Sequence, residues 1–204
     1  MNPQGKAQQW LEPVLDQAAR VLVKNILNDP KHPRYITERE AELIHRGVEQ
    51  GIIQIEGNIF RLPTTNKGRY DAFTLNREYF VQFATLVDLI TEHGYPASDC
   101  QFEYHLMDIC VFKDGQPYIY IETKVGDQSS KKLIEEMTNI YASQLVSFLD
   151  KPDRGIDALR KAKYIFRDHP KYFGVINPSM RYFYEVHYTE TGFSLETIPD
   201  LPKN

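Results

Sequence analysis

The chain has 204 residues, 42% hydrophobic and 25% charged, with 13 Tyr, 11 Phe and 1 Trp, a balance that suits a folded globular protein and excludes disorder. A formal net charge of −4 excludes coating nucleic acid through bulk positive charge. Cys100 and Cys110 are too few for a disulfide framework or a four-thiolate zinc site, the N-terminus is polar, and no run approaches the roughly 18 apolar residues of a membrane span, so we expect a cytoplasmic protein with no membrane partner.

Along the chain, Trp10, Leu11, Val14, Leu15, Ala18, Val21 and Leu22 recur at helical spacing and predict one helix over residues 8–27, stopped by Asn28-Asp29-Pro30. Thr37-Glu38-Arg39-Glu40 has the form of a capping box and opens a second helix that Gly51 ends. Two isoleucine-rich runs around Glu56-Gly57-Asn58 then read as a hairpin. Helix, helix, hairpin is the order of winged-helix modules and of many other lobes. The polar stretch Pro63 to Gly68 marks a boundary, so we expect a small lobe over residues 1–68 and a larger domain over 69–204.

The larger domain opens with an amphipathic helix over residues 76–93, stopped at Gly94-Tyr95-Pro96. Strand-like runs follow at 102–112 and 118–125, then a long helix over 130–149, a short basic helix over 156–166, and strands at 172–176, 180–188 and 193–198. The basic clusters Lys131-Lys132 and Arg160-Lys161-Lys163, the latter followed by Arg167 and Lys171, read equally as solvated helix faces or as phosphate contacts. Glu135-Glu136 supplies Lys131 and Lys132 with partners at helical spacing.

The residues that carry chemistry lie between 108 and 124. Glu122 and Lys124 are two apart and share a strand face, and Asp108 joins them only if the turn has the right parity. A three-residue loop, Lys113-Asp114-Gly115, sets Asp108 opposite Tyr120 and on the face of Glu122; a two-residue Asp114-Gly115 loop sends it to the other side. We expect the three-residue loop. Two carboxylates and an ammonium on one face suit a hard cation such as Mg²⁺ with its waters, or form an exposed ion pair on a half-solvated sheet. His105, three residues before Asp108, falls on the opposite face and is expected to pack; Cys110 shares the face of Asp108.

Asp, a hairpin turn, Glu-x-Lys and a following helix resemble the PD-(D/E)xK nuclease superfamily, here as Asp108 and Glu122-Thr123-Lys124. With Arg77-Glu78-Tyr79-Phe80-Val81, Glu92-His93-Gly94-Tyr95-Pro96, Glu103 and Asp114-Gly115-Gln116-Pro117 added, residues 76–150 look like the N-terminal nuclease domain of type I restriction enzyme R subunits. That resemblance implies an α+β, restriction-endonuclease-like mixed sheet flanked by helices, and a Mg²⁺- or Mn²⁺-dependent endonuclease acting on DNA, with RNA as an alternative substrate. It implies metal ligation by Asp108, Glu122 and the Thr123 carbonyl, a water-handling role for Lys124, and a contribution from Glu78. Gln144 matches the glutamine of the family's Gln-x-x-x-Tyr, while position 148 is Phe and Met107 stands where the family name has Pro. No Gly-x-x-x-x-Gly-Lys-Ser/Thr occurs, so no ATPase is intrinsic to the chain, and a nuclease here acts alone, as a homodimer or with a partner subunit. The competing expectation is a catalytically silent nucleic-acid-binding or regulatory module on the same fold.

Overall fold

The computed structural model describes residues 3–27, 36–65, 72–74 and 76–204. These divide into two compact units, residues 1–100 with 203–204, and residues 101–202. Among the described residues no helix is long and apolar enough to cross a membrane.

The first unit carries α1 (Pro3–Leu11), α2 (Gln17–Leu27), α3 (Glu38–Glu49), β1 (Gln54–Glu56), β2 (Ile59–Arg61), β3 (Ala72–Thr74) and α4 (Arg77–Thr91). The single helix expected over 8–27 is two helices, because Pro13 cannot donate in a continuing helix and the chain turns there. Asp16 restarts it by accepting from the Ala19 N–H at 2.8 Å, and Arg20 donates to the loosened carbonyls of Glu12 and Leu15 at 2.6 and 2.9 Å. The expected stop at Asn28-Asp29-Pro30 lies outside the described residues, and so does the boundary expected at 68/69. The compact unit ends later than that boundary. β3 pairs with β2, and Phe60 packs on Phe83 and Phe80 of α4 at ring-centroid distances of 4.2 and 5.4 Å, which draws α4 into the N-terminal core.

The capping box at Thr37 forms as expected, and its glutamate does more than cap. Glu40 receives the guanidinium of Arg77 in two hydrogen bonds of 2.8 and 2.9 Å, while Arg77 is 2% exposed. Arg77→Met strands a buried carboxylate and should lower the unfolding free energy by about 3–5 kcal/mol in chemical denaturation. Arg77→Met/Glu40→Gln, which keeps an N3 capping side chain without the charge, should recover most of that loss.

The second unit is a six-stranded mixed sheet with helices packed on it, in the order β4 (Cys100–Tyr104), β5 (Met107–Lys113), β6 (Gln116–Thr123), β7 (Tyr172–Ile176), β8 (Arg181–Thr189) and β9 (Gly192–Ile198). β6 and β7 run parallel, so their connection must cross over, and it carries α5 (Asp127–Glu136) and α6 (Asp157–Asp168). The run expected as one strand over 102–112 is a hairpin turned at His105-Leu106. His105 is therefore not on the strand of Asp108; it sits exposed at φ 54° and stacks on Tyr164 at 5.1 Å.

The β5–β6 turn corrects a second expectation. Lys113 pairs with Gln116, so the loop is the two residues Asp114-Gly115, at φ 53° and 75°, the left-handed pair that an Asp-Gly hairpin favours. The parity lost there is restored two pairs later. Phe112 pairs with Pro117 but Val111 pairs with Ile119, so Tyr118 bulges, next to a proline that cannot donate to the ladder. Below the bulge Ile109 pairs with Ile121, which sets Asp108 directly across from Glu122.

The helix expected over 130–149 also breaks. After α5 the chain makes a π turn at Met137–Tyr141 and a 3₁₀ segment at Ala142–Phe148, with Gln144 at φ −133°, ψ 33°. The turn between β8 and β9 competes for its backbone: the Val146 N–H donates to the Thr191 carbonyl and Thr191 Oγ1 donates to the Ser143 carbonyl, both at 3.0 Å. Gly192 permits this approach, since a Cβ there would lie 1.8 Å from the Ala142 carbonyl oxygen.

Candidate functional site

Cys110 and Tyr120, cross-strand partners on β5 and β6, pack in a core with Leu133 of α5 and with Ala158, Leu159, Ala162 and Ile165 of α6. Asp108 and Glu122 lie on that same helix-covered face two residues along each strand, at the carboxyl end of β6. Cys110 is fully buried in this core, which leaves it no part as an exposed nucleophile.

Asp108 Oδ2 accepts from the backbone N–H of Thr123 at 2.6 Å and from its hydroxyl at 2.7 Å, so the carboxylate is aimed before anything binds. Glu122 is 3% exposed. Lys124 donates to its Oε1, and Lys161 donates to its Oε2 at 2.5 Å. Lys161 also donates to the Leu106 carbonyl at 2.7 Å. Asp157, one turn earlier on α6, lies 3.5 Å from Lys124 and 3.6 Å from Lys161. The Lys124 backbone N–H continues the ladder to the Ile176 carbonyl at 2.8 Å, which fixes where its side chain starts. At the far end of α6 the Tyr120 hydroxyl donates to Asp168 at 2.5 Å, so β6 and α6 are pinned together at two points.

Burial sets the protonation of these groups. It pushes the Asp108 carboxyl up to about 6, against the pull of Lys161 and the Thr123 hydrogen bonds. It pushes Glu122 up to about 7, with the Asp108 carboxylate adding to the shift and Lys161 and Lys124 opposing it. For Lys124 burial acts downward, but the Glu122 and Asp157 carboxylates outweigh it and hold the ammonium above its ordinary range.

Compared with family models, curated proteins and solved structures, the chain finds no match.

Of the expected site residues, the fold therefore gathers Asp108, Glu122, Thr123 and Lys124. Glu78 is exposed in the first turn of α4, in the first unit. Gln144 is exposed at the break in the helix, on a segment that packs against β9. The basic clusters also resolve individually: Lys131 pairs with Asp127 at 2.7 Å and Lys132 with Glu136 at 3.7 Å along α5, and Lys163 donates to the Lys151 carbonyl at 2.7 Å. Lys161 and Asp157 are the additions. The signal for Lys161 is its place within the stripe Ala158, Ala162, Ile165, where a solvated lysine does not belong.

The donor set suits a small hard cation, which is commonly held by one or two carboxylates plus waters and phosphate oxygens. Among the described residues no three His, Cys, Asp or Glu side chains form a dedicated cage.

Carboxyl groups that keep their protons in the folded chain bind more protons than the unfolded chain from about pH 4 to about pH 7, so folding stability falls as pH rises through that window. In EDTA the unfolding free energy should drop from about pH 4 to about pH 7 by an amount on the order of 1–3 kcal/mol. Asp108→Asn should flatten the dependence, and an unchanged slope in that variant would contradict the assignment.

Proposed function

We propose that the second unit is a restriction-endonuclease-like domain and that the chain is a Mg²⁺-dependent phosphodiesterase acting on DNA, with RNA as the other substrate to test. The observation that carries this reading is the buried Glu122 carboxylate directly across from Asp108, with two ammoniums at its oxygens. Such a cluster is costly to desolvate, and substitutes of similar shape without charge are often as stable, so folding alone gives little reason to build it. The mixed sheet, the acid-bearing hairpin and the position of Glu122 at the carboxyl end of β6 support the same reading.

Asp108 and Glu122 would hold the metal ion, with the Thr123 carbonyl beside them in the chain. When bound, that ion supplies countercharge to the phosphate and lowers the pKa of water. Lys124 keeps its proton next to Glu122, so its part is to donate hydrogen bonds that orient the attacking water or a phosphate oxygen, not to act as the base. The hydroxyl and N–H of Thr123 would hold Asp108 in place as a ligand.

One observation favours a second reading, a silent nucleic-acid-binding or regulatory module. Each oxygen of Glu122 already accepts from an ammonium, so the network is self-satisfied without a cation.

A nuclease assay on plasmid, single-stranded DNA and RNA with Mg²⁺, Mn²⁺ or EDTA, run beside calorimetric metal binding, separates the two. Lys124→Ala should slow cutting by about a hundredfold or more while Mg²⁺ still binds, because the amine is not a ligand. Asp108→Ala should lose both. Wild-type activity in Asp108→Ala would sink the site, and a wild type that neither cuts nor binds metal would favour the silent module.

A further inference from the structure

The two lysines on Glu122 are not equivalent. The Lys124 side chain is 20% exposed and begins just past the end of β6, so it has solvent to move into. The Lys161 side chain is 4% exposed, and its stem lies in the apolar stripe by which α6 packs on the sheet. Its ammonium is anchored at a second point by the Leu106 carbonyl at 2.7 Å, in the β4–β5 turn. Pulling Lys161 away would take one of two ammoniums from the buried Glu122 carboxylate and leave the lysine's charge inside an apolar stripe, whereas Lys124 has solvent to move into.

We propose that Lys161 is a tethered cation that permanently holds the Oε2 side of Glu122, so that the site admits one divalent metal ion, on the Oε1 side from which Lys124 withdraws. This rests on the metal-site reading above and adds to it a stoichiometry and a direction of entry. A pair of metal ions about 4 Å apart, as in two-metal sites, would place one of them against the Lys161 ammonium. Lys161 is a positioning residue: it fixes the orientation of Glu122 and excludes a second cation.

The test is calorimetric titration of Mn²⁺ into the full chain as wild type, Lys161→Gln and Lys161→Gln/Asp157→Asn. Glutamine keeps a donor for the Leu106 carbonyl and removes the charge. The double variant restores the charge count of the cluster, since wild type sets three carboxylates (Asp108, Glu122, Asp157) against two ammoniums (Lys124, Lys161) and the variant sets two against one. It guards against a fold loss in the single variant, and the rise in melting temperature with Mn²⁺ is a second readout for both. Wild type should bind one Mn²⁺ per chain. Both variants should bind at least tenfold more tightly or take a second ion, with a larger Mn²⁺-dependent rise in melting temperature than wild type. Unchanged affinity and stoichiometry in both variants, or two ions in wild type, overturns the tethered cation and leaves the metal site standing. No binding in any of the three overturns the metal site itself. Binding by the variants alone overturns both the one-ion stoichiometry and the reading of the wild type as a metal enzyme.

Discussion

A desolvated carboxylate at the end of a strand is the constraint around which the second unit is arranged. Glu122 cannot stay buried and charged unless its oxygens are satisfied at hydrogen-bond distance, and the satisfying groups come from two directions: Lys124 from its own strand and Lys161 from α6. That demand fixes how α6 lies on β6, together with the Tyr120–Asp168 hydrogen bond at the helix's other end. The crossover between the parallel strands β6 and β7 supplies α6 over this face, and with it the partner that the buried acid needs.

The same burial divides labour among the residues. Asp108, braced by Thr123, and Glu122, raised further by the neighbouring charge, are tuned toward neutral pH, while Lys124 is driven to keep its proton. Two carboxyl groups that would give up their protons to a cation, beside an ammonium that keeps its own, make a coherent set for orienting water near an anionic substrate. The first unit solves a similar problem differently. Glu40 is also buried, but a bidentate arginine and a helix N-terminus satisfy it fully, and it reads as structural.

Much of this was legible in the residues because local rules govern it. The capping box at Thr37, the strands from residue 116 onward with a helical crossover between the first two, and the shared side of Glu122 and Lys124 follow from spacing. The hairpin shows where spacing stops being enough. Asp-Gly closes a two-residue turn, which by itself would have separated the acids, and the bulge at Tyr118 rejoins them. Parity thus came out right through two compensating features, and Pro117 is the residue that hinted at the second. The break at residues 137–148 was not legible, because hydrogen bonds with Thr191, distant in sequence, pull that backbone out of the helix. The reach of the N-terminal core into α4 depends on ring packing between Phe60 and Phe83, which no local pattern encodes. Lys161 was legible in principle as a charge inside an apolar stripe, but its run of basic neighbours disguises it as a solvated face.

The central claim, that Asp108 and Glu122 form a cation site, is tested most directly by diffraction from crystals soaked in Mn²⁺, using the metal's anomalous signal. One anomalous peak within bonding distance of an oxygen of each carboxylate, on the Oε1 side of Glu122 and with Lys161 still seated on Oε2, is the result this account predicts. Soaked crystals that show Lys124 and Lys161 both in place on Glu122 and no peak between the acids would contradict it.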